Sequence, residues 1–233
     1  MLEVCVDSVR GAIIAANSGA QRIELCDLLD VGGITPSETL IVDVRRNVSL
    51  PIVVLIRCRP GDFEYTTHEL DSMLAQCERA VQLGAGGLAL GGLKPGKELD
   101  YEFLSMAKSL ALNAELVVHR AFDSVSNPEH AIHRLIDMGF HRILSSGGPV
   151  SATGGLDQLR LFVEWANHRI QILPAGGVGP ENAREILERT ACTQLHGSFR
   201  NKQAIEDRKS LPDSKAIQET RSILDEFMAQ GNH

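Results

Sequence analysis

The chain lacks the features that mark several large classes of protein. It has 23 basic against 30 acidic residues and a formal net charge of -7, so it lacks the basic surplus typical of nucleic-acid-binding proteins. No apolar run approaches the roughly 20 residues that span a bilayer. The N-terminal segment MLEVCVD also lacks the basic region and long apolar stretch of a signal peptide. We therefore expect a cytoplasmic protein that binds neither nucleic acid nor membrane.

Cysteine pairs and aromatic residues are also scarce. The five cysteines are an odd number and widely spaced, so we expect free thiols and no disulfide framework. No Cys-x-x-Cys pair is present, which excludes the common structural zinc patterns. Aromatic residues make up only 4% of the chain against 43% hydrophobic residues, so the core must be built from aliphatic side chains, as parallel sheets prefer.

What the sequence does contain is a repeated pattern of an apolar run followed by charged residues. The segment ELVVHRAFD (115–123) shows it most clearly, because Leu116, Val117 and Val118 precede His119 and Asp123. Such a run is typical of a fully buried parallel strand. Since the carboxyl ends of parallel strands gather at one face, each copy of the pattern would bring a polar group to a common mouth.

Eight strand-then-helix pairs follow one another at a spacing close to thirty residues. The predicted strands are 2–7, 22–27, 51–57, 87–93, 116–118, 141–146, 171–175 and 192–196. A chain of 233 residues is normal for a barrel that typically needs about 250. The pattern predicts an α/β protein with a single TIM-type (β/α)8 barrel, in which 1–233 form one domain and 201–233 supply a polar tail and the last helix. An open doubly wound sheet is the alternative, because periodicity alone does not count strands reliably.

The first two predicted strands each carry the sequence Glu-x-Cys. Alternate residues of a strand share a face, so Glu3 lies with Cys5, and Glu24 with Cys26. If both thiols face inward from neighbouring strands, they lie within reach of one ion, and soft thiolates select Cu(I). The alternative is that both are small buried hydrophobic residues, the usual fate of a free cysteine. The two carboxylates need cationic partners, because carboxylates are almost never buried unpaired.

Candidate partners follow the third and fifth strands. Arg57 and Arg59 end the third strand, and His119 and Arg120 end the fifth. Clustered at one mouth, they would pair with Glu24 and leave a positive surplus suited to a carboxylate or phosphate. The alternative is that these charges only neutralise one another.

Small residues follow the last three strands. Gly176 and Gly177 after strand seven, and Gly197 and Ser198 after strand eight, occupy positions where many barrels bind phosphate through backbone amides. Ser146 at the end of strand six adds a hydroxyl donor. Glycine pairs in tight turns are also common for conformational reasons alone.

Six segments together resemble the CutC family, which is named for copper homeostasis. They are LEVCVDS (2–8), RIELCD (22–27), GGITPS (32–37), GDFEYT (61–66), VVHRAFD (117–123) and LPAGGVGPEN (173–182). The resemblance extends to about Arg200 and implies a TIM-type barrel, a cytoplasmic location, a homo-oligomer and Cu(I) binding by Cys5 and Cys26. The chain departs from the family pattern at Cys58, which adds a third thiol near the mouth, and at Pro60, which stiffens the turn.

Two functions fit these observations. The first is a cytoplasmic copper homeostasis protein with Cys5 and Cys26 as ligands of Cu(I). The second is an enzyme that applies acid-base chemistry to a small substrate bearing a phosphate or carboxylate. Its predicted catalytic residues are Glu24, Arg57, His119 and Asp123, and its predicted anion-binding residues are Arg59, Ser146, Gly176, Gly177, Gly197 and Ser198. A third possibility, an interaction scaffold, predicts a large exposed apolar patch instead of a polar mouth.

Overall fold

The computed structural model describes residues 1–200 and 211–231, and its central feature is a ring of parallel strands. The strands are β1 (Leu2–Val6), β2 (Arg22–Leu25), β3 (Ile52–Leu55), β4 (Gly87–Leu90), β5 (Leu93–Lys94), β6 (Glu98–Leu99), β7 (Glu115–Val118), β8 (Arg142–Ser145), β9 (Gln171–Pro174) and β10 (Leu195–Gly197). The short strands β5 and β6 pair only with each other, as an antiparallel hairpin. The other eight strands form one sheet in which every recorded pairing is parallel.

The order of the eight strands makes the sheet a nearly closed barrel. Consecutive strands are neighbours throughout, and the first strand pairs with the last, with Leu2 opposite Leu195. Strands β9 and β10 lie side by side without a ladder of hydrogen bonds between them. A doubly wound sheet would reverse its strand order at a switch point. The predicted (β/α)8 barrel is therefore confirmed, and the open-sheet alternative is wrong.

A helix follows each strand of the ring. The helices are α1 (Val9–Asn17), α2 (Glu38–Asn47), α3 (Thr67–Gln82), α4 (Tyr101–Leu110), α5 (Pro128–Asp137), α6 (Leu156–Ala166), α7 (Ala183–Thr190) and α8 (Ser214–Ala229). Their starting points follow from local chemistry. Ser37 caps α2 through a hydrogen bond from the Leu40 amide, and Thr66 and Glu69 form a capping box at α3. No helix among the described residues is long and apolar enough to cross a membrane.

Two clusters of apolar side chains hold the ring of strands and the helices together. The larger one lies between the strands and the helices, and the smaller one fills the interior of the ring. Successive side chains of a strand point to opposite faces of the sheet, which produces this division. The side chains that point into the ring form the smaller cluster, and those that point toward the helices belong to the larger one. Its buried members are Cys5, Cys26, Val53, Leu55, Ala89, Val117, Leu144, Leu173 and Ala175. Because the interior is packed, a ligand can enter only above this layer.

The structure corrects several predicted boundaries. Most strands are shorter than predicted, because their last residues belong to the loops that follow; 51–57, for example, becomes Ile52–Leu55. The segment LKPGKELD, expected to be a polar insertion, contains the hairpin of β5 and β6. The residues Arg120–Ser124 form a 3-10 turn after β7. The predicted polar stretch 201–213 lies mostly outside the described residues, but helix α8 follows it as expected.

Candidate functional site

A buried group of charged residues occupies the ring interior where β1 meets its two neighbours. In the register of the sheet, Glu3 lies between Arg22 of β2 and His196 of β10. Its carboxylate accepts a hydrogen bond from Arg22 Nε and lies 2.7 Å from His196 Nδ1. Glu3 is only 2% exposed and therefore requires these partners. The sequence predicted that the cationic partners of the two carboxylates follow the third and fifth strands and pair with Glu24. That prediction was wrong, because Arg22 and His196 contact Glu3 and His196 faces Glu24.

The pKa values within this group reflect its pairing. Burial alone would raise the pKa of Glu3, but the hydrogen bond with His196 and the charge of Arg22 lower that pKa to about 2. Burial alone would lower the pKa of His196, but the charge of Glu24 and the hydrogen bond with Glu3 raise it above its usual value. Glu3 is therefore an anion that fixes the orientation of the His196 ring.

The two predicted thiols lie together just above this group. The Sγ atoms of Cys5 and Cys26 are 3.7 Å apart, and both residues are buried. The hydrogen bond with Cys26 and burial raise the pKa of Cys5 well above its usual value, and the charge of Glu24 adds to the effect. Both cysteines are free. The thiol pair is thus a preformed pair of sulfur donors facing the ring interior.

Glu24 and His196 extend the thiol pair into a larger cluster of metal-binding side chains. One ligand atom from each of Cys5, Glu24 and His196 lies within 4.8 Å of the others. His196 Nε2 is 3.7 Å from the Glu24 carboxylate. Burial raises the pKa of Glu24, an effect that the charge of His196 only partly offsets. The cluster can therefore supply sulfur, nitrogen and oxygen donors to one ion.

A cavity of about 250 Å³ opens above this cluster at the carboxyl ends of the strands. Most of the predicted site residues line it, which confirms that distant parts of the chain converge on one mouth. They are Cys5, Glu24, Arg57, His119, Gly176, Gly177, Gly197 and Ser198. His196 and the apolar side chains Leu55 and Leu144 also contribute to the wall.

Arg57 lies at the wall of this cavity and is only 7% exposed. Its guanidinium donates to the carbonyl oxygens of Val31 (3.4 Å), Gly33 (3.1 Å) and Gly61 (2.7 Å). It also lies 4.9 Å above the ring of Phe63. Among the described residues, no carboxylate forms an ion pair with it, so its positive charge faces the cavity uncompensated.

His119 lies at the same wall and is 3% exposed. Its Nδ1 accepts a hydrogen bond of 3.2 Å from the amide of Ala121. Burial, together with the charge of Arg57, lowers the pKa of His119 to about 3, so the imidazole is neutral at physiological pH. A neutral ring whose Nδ1 accepts must carry its proton on Nε2. That buried Nε2 has no hydrogen-bond partner within the described part of the chain.

Four predicted site residues lie outside the cavity wall: Cys26, Arg59, Asp123 and Ser146. Cys26 is fully buried against Cys5. Arg59 pairs with Glu69 at 2.6 Å and with Asp62 at 3.1 Å in the loop after β3. The carboxylate of Asp123 accepts from Ser145 at 2.6 Å and from Ser146 at 2.9 Å. Arg59 is thus tied to helix α3 and to its own loop, and Asp123 is tied to the end of β8.

Two residues of the site, Arg22 and His196, were missed at the sequence level. The signal that identifies both is strand parity. Arg22 shares a face with Glu24 and Cys26, and His196 shares a face with Ser198. Both residues would have been found by listing every position of a strand that shares the inward face with a predicted site residue.

Comparison with known proteins places this geometry in a family. The model of the CutC family matches residues 1–201. The human copper homeostasis protein cutC homolog is 39% identical over 201 residues, which cover 86% of this chain and 74% of the human protein. The family protein CutC of Histophilus somni is 38% identical over 195 residues, covering 84% of this chain and 80% of that protein. The crystal structure of CutC from Streptococcus agalactiae superposes with a TM-score of 0.81 at 33% identity, covering 85% of this chain and 98% of that one. The chain therefore belongs to the CutC family.

Proposed function

We propose that the chain acts in copper homeostasis by binding Cu(I) between Cys5 and Cys26. The observation that carries this proposal is the separation of 3.7 Å between two buried thiols on neighbouring strands. Bonds of about 2.3 Å, the length found for zinc thiolates, allow both sulfurs to reach one ion without backbone movement. Thiolates are soft ligands and favour Cu(I) over the hard cations. The names of the relatives point to the same metal.

His196 is the third ligand in this proposal. Its Nδ1 is held by Glu3, so the ring presents Nε2 toward Glu24 and Cys5. A carboxylate behind a histidine is the usual arrangement at metal sites, because it fixes the tautomer and the ring orientation. Glu24 is a hard ligand and matches Cu(I) poorly, so we assign it no bond to the ion. The proposal includes a cytoplasmic location, where thiols stay reduced, and a homo-oligomer, as the family resemblance implies.

Competition with a Cu(I) chelator of known affinity tests the copper function. We expect Cys5→Ser and Cys26→Ser to weaken Cu(I) binding by roughly tenfold or more, which corresponds to about 1.4 kcal/mol. Cys58→Ser is the matched control, because Cys58 is a half-buried thiol that does not line the cavity. Equal Cu(I) affinity of the parent chain and the Cys5→Ser, Cys26→Ser double variant would contradict the proposal.

A second function, proton transfer on a small anionic substrate, is favoured by the uncompensated charge of Arg57 at the cavity wall. In this proposal Arg57 binds the anion. Glu24 and His196 exchange protons, because their pKa values are both raised and their side chains lie 3.7 Å apart. The neutral His119 donates a hydrogen bond and takes no part as a base.

Solvent exchange tests the second function. The metal-free chain is incubated in D2O with small phosphate esters and hydroxy acids, and deuterium incorporation is followed by NMR. We expect Glu24→Gln to abolish exchange, whereas Glu164→Gln, on the exposed face of α6, leaves it unchanged. Exchange that persists in Glu24→Gln would contradict the assignment of the proton-transfer role.

A further inference from the structure

We propose that the mouth of the barrel contains an oxyanion subsite, formed by Arg57 and His119, that binds the carboxylate or phosphate group of a small organic anion. The subsite lies at the cavity wall and needs no contact with copper. The proposal rests on the proposed proton-transfer function in one respect, namely that the bound anion would be the substrate of that reaction.

The balance of charge around the cavity is the first argument. Glu3 is paired with Arg22, and Asp123 is paired with Arg120 at 2.8 Å. Glu24 faces His196. Each of these anions therefore has a cation beside it, whereas the partners of Arg57 among residues 1–200 and 211–231 are carbonyl oxygens and the face of Phe63. Burying an arginine without a counter-ion is costly, so an anionic ligand would stabilise this arrangement.

The hydrogen-bond donors at the wall are the second argument. The three carbonyl contacts of Arg57 use three of its five N–H groups. His119 contributes a further N–H at Nε2, which has no acceptor within the described residues. Its proton position follows from the Ala121 amide, which occupies Nδ1. Buried donors without partners are rare in native proteins, and here the missing acceptor is an oxygen of the ligand.

The turn after β9 faces the same cavity. Gly176 and Gly177 have φ of 94° and 74°, values that favour glycine, and a Cβ on Gly177 would meet open space. None of the hydrogen bonds between described residues uses the amide N–H of either glycine. The loop after the seventh ring strand is a common phosphate-binding position in barrels of this type. These amides are therefore available to a second oxygen of the anion.

The size and the walls of the cavity define the rest of the ligand. A volume of about 250 Å³ accommodates an oxyanion and a short carbon chain, since a water molecule takes up about 30 Å³. Leu55, Leu144 and Val178 supply apolar wall beside the polar groups. The geometry fits a compact phosphate ester or hydroxy acid.

Calorimetric titration of the metal-free full chain tests the subsite. The probes are inorganic phosphate, glycerol phosphate and lactate, so that phosphate and carboxylate are separated. We expect saturable binding of at least one probe, weakened roughly tenfold or more by Arg57→Gln and by His119→Phe, a loss of about 1.4 kcal/mol. The matched control is Arg59→Gln, because Arg59 is tied to Glu69 and Asp62 outside the cavity.

NMR of the histidine ring nitrogens provides a readout that a purely structural role would not change. We expect the Nε2–H signal of His119 to shift on addition of the probe that binds. We also expect the Cys5→Ser, Cys26→Ser double variant to keep its affinity for that probe. One outcome is that a probe binds saturably in calorimetry while none of the compounds incorporates deuterium in D2O. That result would support the subsite and contradict only the proton-transfer function.

The proposal is overturned if none of the three probes binds the parent chain saturably. It is also overturned if Arg57→Gln and His119→Phe both bind the probe as tightly as the parent chain. Should Arg57→Gln fail to fold, His119→Phe carries the same expectation, because phenylalanine fills the ring space without the donor.

Discussion

Individual side chains inside the ring show how a polar group is kept in an apolar interior. Glu3 and Arg22 are almost fully buried, and neither would be stable there alone. Each is held because the register of three neighbouring strands places its partners beside it. The same contacts orient His196, so the stability of this group and the geometry of the candidate site depend on the same atoms.

Replacing Glu3 tests this dependence. Glu3→Gln leaves Arg22 buried without its counter-ion, so we expect the free energy of unfolding to fall by about 3 to 5 kcal/mol. Denaturant unfolding measures the change. Glu164→Gln removes an exposed carboxylate paired with Arg160 within one helix and should change the free energy of unfolding by less than about 0.5 kcal/mol. Similar losses for the two variants would contradict the account.

His119 predicts a specific dependence of stability on pH. Its pKa is lowered from 6.5 to about 3 in the folded chain, so between these values the unfolded chain binds a proton that the folded chain does not. The contribution of neutral His119 to the free energy of unfolding is fully present above pH 6.5. It is lost as the pH falls from 6.5 to about 3, by up to about 1.4 kcal/mol per pH unit. The free energy of unfolding of His119→Phe should therefore depend less steeply on pH than that of the parent chain. Parallel pH profiles would contradict the lowered pKa, because they would mean that His119 binds its proton equally in the folded and the unfolded chain.

Strands and loops differ in how far they could be predicted. Inward or outward parity follows from the sequence, so Cys5 and Glu24 were placed correctly at the mouth. Cys26 also faces inward, with its Sγ 3.7 Å from that of Cys5, but it lies outside the cavity wall. The alternation of side chains along a strand does not determine the contacts that residues make in the loops. Arg59 and Asp123 carry the right charges and follow the right strands, yet Glu69 of α3 pairs with Arg59 and Ser145 of β8 donates to Asp123. Only the folded arrangement of those loops reveals this.

The loop between β8 and α6 gives a test at the scale of an element. A Cβ on Gly155 would overlap the carbonyl oxygen of Ser146, whereas a Cβ on Gly154 would have its nearest neighbour, Pro149, at 3.3 Å. We expect Gly155→Ala to lower the free energy of unfolding by about 1 to 3 kcal/mol, because the loop must shift to remove the overlap. Gly154→Ala should cost clearly less. Equal unfolding midpoints of the two variants in denaturant would contradict the packing described for this loop.

The whole molecule is a ring in which the first and last strands meet, and this closure creates the site. Strand β1 pairs with β2 on one side and β10 on the other, so Cys5 lies beside Glu24 and near His196 although 191 positions separate Cys5 from His196 in the numbering. The spacing of strand-helix units, together with the resemblance to the CutC family, predicted the barrel. It did not reveal the partnership of His196 with Glu3, because that contact depends on the register between the two ends of the chain.

Copper K-edge X-ray absorption of the chain loaded with Cu(I) tests the central claim most directly. The account predicts two sulfur neighbours and one nitrogen neighbour at the ion, with the nitrogen lost in His196→Phe and a sulfur lost in Cys26→Ser. A copper ion surrounded only by oxygen and nitrogen, or an unchanged spectrum in Cys26→Ser, would contradict it.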